Sequence, residues 1–243
     1  MTNPLAPTPL AGQTVLIVGG SSGIGAGVAD AVRAQGGRAV VAGRKVEPGP
    51  DSIRLDLEDE ASIVAAGEQL GELDHVVSLA ANHANGPVGE LEQDAIRAAF
   101  DAKIVGPVLL AKHLAPRLRE GGSFVLFSGV VAWKPAAGLA VMGTTNAAVA
   151  SLVESLAVEL APLRFNAVSP GIIDSGVWDS MPADDKAAMF ENTARTNPVG
   201  RVGQVDDVVA AVLLALTNGF MTGSVLHVDG GGKFAYEQSN DRP

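Results

Sequence analysis

A chain of 243 residues can bury one large core, and a composition of 47% hydrophobic but only 4% aromatic residues, with 29 glycines, describes small aliphatic side chains joined by tight turns. Lysine and arginine number 17 against 27 aspartates and glutamates, a net charge of −10, and no basic stretch is interleaved with aromatics, which argues against a nucleic-acid partner. Without cysteine there is no disulfide, thiolate nucleophile or thiolate zinc site, and His75, His83, His113 and His227 lack metal-ligand spacing, so no metal is expected.

The opening MTNPLAPTPL has neither a basic start nor an apolar segment and carries three prolines, so residues 1–10 read as a loose arm. From Thr14 onward, short runs rich in valine and isoleucine alternate with longer stretches of helical periodicity, the pattern of βαβ units. Strands are predicted at residues 14–18, 38–42, 52–55, 75–79, 123–127, 164–168 and 225–228. They make an α/β fold: one doubly wound, seven-stranded parallel sheet with helices on both faces. No linker or repeat divides the chain, so a single domain is expected over residues 11–233, followed by a tail at 234–243. The longest apolar run, residues 208–216, is too short to span a bilayer, so no membrane and a cytoplasmic location are expected.

The first strand runs directly into Gly19, Gly20, Ser21, Ser22, Gly23, Ile24 and Gly25, and a helix is predicted from about Ala26. A turn this tight needs residues without Cβ, so that the backbone can approach a pyrophosphate and the N–H groups of the helix start can face its charge. Lodged between strand and helix, the array is the Rossmann-type dinucleotide-binding context. The second strand ends at Gly43-Arg44-Lys45, where a bare ribose would need an acidic acceptor. Arg44 suits a ribose 2′-phosphate instead, which favours NADP(H); the other reading is a solvated surface arginine. Asp56, after the third strand, is placed either to accept from an adenine amino group or to cap the next helix.

A long helix is predicted over residues 91–119, kinked at Gly106-Pro107, and another over 146–161, whose polar positions reduce mainly to Ser151, Glu154, Ser155 and Glu159. Both carry more apolar surface than one sheet face needs, so they are either a subunit interface, making the protein a homo-oligomer, or deep core helices. Residues 170–197, after the sixth strand, mix Gly, Pro, Asp and Ser with an amphipathic stretch at 184–192 and form the expected lid.

Taken together, these motifs resemble the short-chain dehydrogenases/reductases from about Ala11 to Lys233. The family's TGxxxGIG turn is similar to VGGSSGIG at residues 18–25, its adenine-binding Asp-Leu pair to Asp56-Leu57, its RVNxVxPG run to RFNAVSPG at 164–171, and its terminal motif to Thr222-Gly223 with Val228-Asp229-Gly230-Gly231. The family's Asn-Asn-Ala-Gly after the fourth strand reads Ser78-Leu79-Ala80-Ala81, which puts Ala80 and Ala81 at the cofactor. The resemblance further implies Pro170, Gly171, Ile173 and Ser175 at the nicotinamide carboxamide, a small-molecule substrate, and a homotetramer or homodimer.

The catalytic residues do not carry over. The family's tyrosine and lysine fall on Met142 and Asn146, its serine on Gly129 directly after Ser128, and its asparagine on Lys103. The chain's single tyrosine, Tyr236, lies in the tail. Two functions remain: an atypical NADP(H)-dependent oxidoreductase passing hydride to a C=O, C=N or C=C bond, or a non-catalytic NADP(H)-binding sensor. In the first, Lys103 and Ser128 are the catalytic candidates, with Asn82, His83, Thr144, Thr145 and Asp174 around the pocket. The bland alternatives are a lysine that merely fills the asparagine's place and a strand-end hydroxyl bonded to backbone.

Overall fold

The computed structural model describes residues 8–235. The chain order is β1 (Thr14–Val18), α1 (Gly23–Ala34), β2 (Arg38–Gly43), β3 (Ser52–Arg54), α2 (Glu60–Leu70), β4 (Leu73–Ser78), α3 (Gln93–Phe100), α4 (Gly106–Leu114), β5 (Leu118–Phe127), α5 (Ala140–Glu159), β6 (Arg164–Pro170), β7 (Ile173–Asp174), α6 (Ala183–Thr196), β8 (Gly203–Gln204), α7 (Val205–Thr217) and β9 (Ser224–Val228).

Seven strands form one parallel sheet in the order β3-β2-β1-β4-β5-β6-β9, as expected. The central strands are largely apolar because helices bury both of their faces, with His75, Ser123 and Asn166 among the buried exceptions. Leu16, Phe124 and Phe165 face a layer carrying Ile63 of α2, Leu110 of α4 and Val149 of α5. Ile17, Val125 and Val168 face the opposite layer, with Val28 of α1 and Val212 of α7. Phe124 and Phe165 stack with centroids 4.7 Å apart. The order of strands, all parallel, reverses its direction of travel between β1 and its neighbour β4, opening a crevice at the carboxyl ends of these strands, where α/β sheets bind ligands.

Several boundaries differ from the sequence expectation. Helix α1 starts at Gly23 rather than Ala26, and α5 at Ala140 rather than 146, because Gly143, Thr144 and Thr145 are weak helix formers that mask its first turns. The helix expected over 91–119 is not continuous. It divides into α3, a π turn at Asp101–Val105 and α4, and Arg119 belongs to β5. Pro107 explains the break: its ring would strike the Lys103 carbonyl in a regular α-helix, and the wider π winding relieves that clash. Strand β5 begins five residues early, pairing Leu118 with Leu73 before an irregularity in register. Residues 1–7 and 236–243, including Tyr236, lie outside the described residues; Leu10 is buried, so packing begins within the stretch read as an arm.

Candidate active site

The glycine turn sits at the crevice. Gly19 and Gly23 have φ of +89° and +51°, which only glycine adopts without strain. A Cβ on Gly25 would run into the Gly19 carbonyl oxygen, and one on Gly23 would stand 2.7 Å from the Ser175 carbonyl oxygen. Ser22 caps α1 with extended backbone but its hydroxyl makes no capping bond, and the first turn of α1 holds no acidic residue. The N–H groups and partial positive charge of this helix end are thus left for an anion.

Two adjoining hollows share Gly19. The first, of about 490 Å³, is lined by Gly19, Ser22, Gly23, Ile24 and Gly25 with Leu79 and Phe127, and on its far side by Ser175, Gly176 and Val177. The second, of about 350 Å³, is lined by Ser21, Arg44, Lys45, Asp56, Leu57, Glu58, Ala80, Ala81 and Asn82. Twelve of the expected binding residues therefore come together here. Pro170, Gly171 and Ile173 line neither hollow: the Gly171 N–H donates to the Val228 carbonyl, and the Ile173 side chain turns into the core against Gly203. Asp56 is not the cap of α2. Asp59 fills that place, accepting from the Ala61 N–H at 3.0 Å, whereas Asp56 Oδ1 accepts from the Glu58 N–H at 3.1 Å and shapes the wall of the second hollow.

Arg44 meets a partner the sequence did not reveal. Its guanidinium lies 3.5 Å from Glu58 Oε1 and donates to Asn82 Oδ1 at 3.4 Å, while Asn82 Nδ2 donates to the same Glu58 oxygen at 2.6 Å and to the Ala98 carbonyl at 3.4 Å.

Lys103 is half-buried on the π turn, and that turn packs against α5. Burial lowers its pKa to about 8, and no described carboxylate pairs with it. Partial burial, with the nearby Lys103 charge adding to it, pushes the His83 imidazole below the usual histidine range. Ser128 is buried at the end of β5, where its hydroxyl donates to the Asn146 carbonyl at 2.8 Å. The Asn146 side chain, also buried, occupies the space beside Gly129: a Cβ there would lie 2.8 Å from Asn146 Nδ2. Thr144 and Thr145 hydroxyls bond back to the Ala140 and Met142 carbonyls of their own helix.

Helix α6 is tied to β7 and to the loop that follows it. Lys186 Nζ sits 2.7 Å from Asp179 and 3.3 Å from Asp174, 5.1 Å above the Phe190 ring, and Trp178 Nε1 donates to the Ile173 carbonyl at 2.9 Å. The carboxylates hold the ammonium pKa above its ordinary value.

Comparison with known proteins agrees with this architecture. Residues 18–233 match the family model described as enoyl-(acyl carrier protein) reductase. The chain is 30% identical to short-chain dehydrogenase/reductase fsr5 of Gibberella fujikuroi, over 91% of this chain and 95% of that protein. It is 31% identical to cis-4-hydroxycyclohexanecarboxylate dehydrogenase of Sinomonas cyclohexanicum, over 90% and 96%. A solved small-chain dehydrogenase in complex with NADPH superposes with a TM-score of 0.80 at 36% identity, covering 92% of this chain and 99% of that one. With a family model matching most of its length and a parallel sheet carrying the glycine turn at its switch point, the chain belongs to the short-chain dehydrogenase/reductase family.

Proposed function

We propose that this protein is an NADP(H)-dependent oxidoreductase acting on a small molecule, with an active site that departs from the family's usual residues. The observation that carries the reading is the glycine turn opening onto an acid-free helix terminus, with Arg44 and Lys45 in the adjoining hollow. These residues fit the cofactor: the turn would hold its pyrophosphate, Arg44 its ribose 2′-phosphate, and the wall formed by Asp56 and Leu57 its adenine. The solved relative that contains NADPH supports the same choice.

When bound, a nicotinamide would provide the hydride for an acceptor carbon. The chain's own part is to exclude water beneath α6 and to hold a proton near the atom that gains charge. Met142 has no acidic proton to give, and the Ser128 hydroxyl is committed to a backbone carbonyl. Lys103, whose pKa of about 8 lets it both hold and release a proton near neutrality, is the group suited to that task. The resemblance places an asparagine on the π turn and a lysine on α5; here the two stand exchanged as Lys103 and Asn146, so the ammonium comes from the other of two packed elements. Substrates that need little proton donation, such as a protonated C=N bond or a polarised C=C bond, suit this site better than simple ketones.

The committed Ser128 hydroxyl also favours a second reading, a non-catalytic NADP(H) sensor. Titrating both cofactors by fluorescence and screening NADPH oxidation against aldehydes, ketones, imines and enones separates the two. Turnover supports the enzyme, binding without turnover supports the sensor, and no binding of either cofactor overturns both.

Apolar surface on α5 and α4 supports a homo-oligomer as part of this reading. Helix α5 is long and apolar enough to span a bilayer by length and composition, yet it packs on β6 and the π turn with only 33% of its most apolar window buried. Val158, 81% exposed, together with Val105 and Val108, leaves apolar surface that a second subunit would cover.

A further inference from the structure

We propose that Glu58 is a specificity-determining residue of the cofactor pocket: held by Asn82, its carboxylate is the resident counter-ion of Arg44 and competes with a ribose 2′-phosphate for that guanidinium. The inference deepens the NADP(H) reading and rests on Arg44 as the phosphate-binding cation.

Glu58 Oε1 takes its short hydrogen bond, 2.6 Å, from Asn82 and faces Arg44 at a loose 3.5 Å. Asn82 is anchored in turn to the Ala98 carbonyl of α3 and offers its own oxygen to Arg44 at 3.4 Å. The carboxylate is therefore fixed by Asn82, and the arginine is the partner free to leave. Both ionic side chains are partly solvated, 36% exposed for Glu58 and 58% for Arg44. Water screens such a pair, so breaking it opposes binding only mildly. A 2′-phosphate carries nearly two negative charges and three acceptor oxygens, so it outcompetes a single carboxylate for the guanidinium fork.

Glu58 does not leave when Arg44 does, because Asn82 still holds it. A bound 2′-phosphate then stands beside a fixed negative charge on the wall of the same hollow, and this repulsion persists throughout the bound state. Glu58 thus weakens every ligand that carries a 2′-phosphate and leaves one with a bare ribose hydroxyl almost untouched. The pocket's preference for the phosphorylated cofactor is narrower than Arg44 and Lys45 alone would make it.

Calorimetric titration of the purified protein with 2′,5′-ADP and with 5′-AMP tests this without any turnover. Glu58→Gln, and Glu58→Ala as a second variant, are expected to tighten 2′,5′-ADP about fivefold at low salt, the upper range for a screened charge pair. Binding of 5′-AMP is expected to stay within about twofold, since the change removes no group that it uses. In an Arg44→Ala background the gain from Glu58→Gln should fall to the residual repulsion, less than about twofold. Unchanged or weaker 2′,5′-ADP binding in both Glu58 variants, with Arg44→Ala still damaging, overturns the role of Glu58 and leaves the NADP(H) reading standing. If instead Arg44→Ala binds 2′,5′-ADP as well as the unmodified protein does, Arg44 is not the phosphate cation, and both readings fall together.

Discussion

Replacing Lys103 with methionine, a side chain of similar length and no charge, should stabilise the apo protein while removing activity. Burial alone lowers this lysine from 10.5 to about 8, which corresponds to about 3 kcal/mol against the charged form. Below pH 8 the folded and unfolded chains both carry the proton, so the whole penalty weighs on the fold. Between about 8 and 10.5 the folded chain alone gives up its proton and the penalty fades; above 10.5 it is gone. Because the side chain keeps some contact with solvent, a gain of about 1–3 kcal/mol is expected for Lys103→Met at pH 7, shrinking towards zero at pH 10. Urea unfolding of both proteins at the two pH values measures it. The same variant should lose at least about tenfold in kcat on a substrate that the intact protein turns over, the low end of general-acid effects, with NADPH affinity nearly unchanged. A destabilised variant at pH 7, or a gain equal at both pH values, would refute the account of a desolvated, unpaired ammonium.

Arg44→Ala should bring NADPH affinity down to that of NADH, a loss of at least about tenfold by fluorescence titration, because the hydrogen bonds it supplies to a phosphate are charge-assisted. Ala150→Arg should convert an oligomer to monomers by light scattering, since it puts an unpaired charge on the surface of α5 that a subunit contact would bury. Lys186→Ala, which frees α6 from Asp174 and Asp179, is expected to raise KM about two- to tenfold with little change in melting temperature, as these ion pairs are partly solvated. Arg164→Leu should destabilise the fold by about 3 kcal/mol or more in chemical denaturation, because the buried guanidinium binds the Ala215, Leu216, Asn218 and Met221 carbonyls at the end of α7.

The sheet was legible because its signals are local. The run TVLIV, a turn with three spatially obligatory glycines and the paired RFNAVSPG strand each specify their conformation within a few residues, and β1 matches its expected limits residue for residue. The π turn was not legible, since it conserves the apolar spacing of a helix and differs only in backbone winding around Pro107. The two-residue strands β7 and β8 are too short to show any period. Within the site, the residues of the glycine turn, chosen for backbone reasons, line one hollow together. Contacts between side chains distant in sequence were not legible: Glu58 meets Asn82 across 24 positions, and the acidic run from Asp56 to Glu60 gave no hint which carboxylate would face the pocket. Ile173 illustrates the converse: its position after β6 is as expected, but the strand it starts turns its side chain inward.

The fit between Gly129 and Asn146 makes these two positions a lock with an order of opening. The backbone of Gly129 is extended and open to any residue, so what a side chain there meets first is the Asn146 amide. A scan of single substitutions at 129 should therefore find nearly everything larger than glycine harmful, and the same scan made after Asn146→Ala should find serine and alanine tolerated. Placing a hydroxyl at 129 is therefore expected to be easier once 146 is small. The reverse order passes through a chain in which the buried Asn146 amide must give way to a side chain at 129, so the effect of either substitution depends on the other.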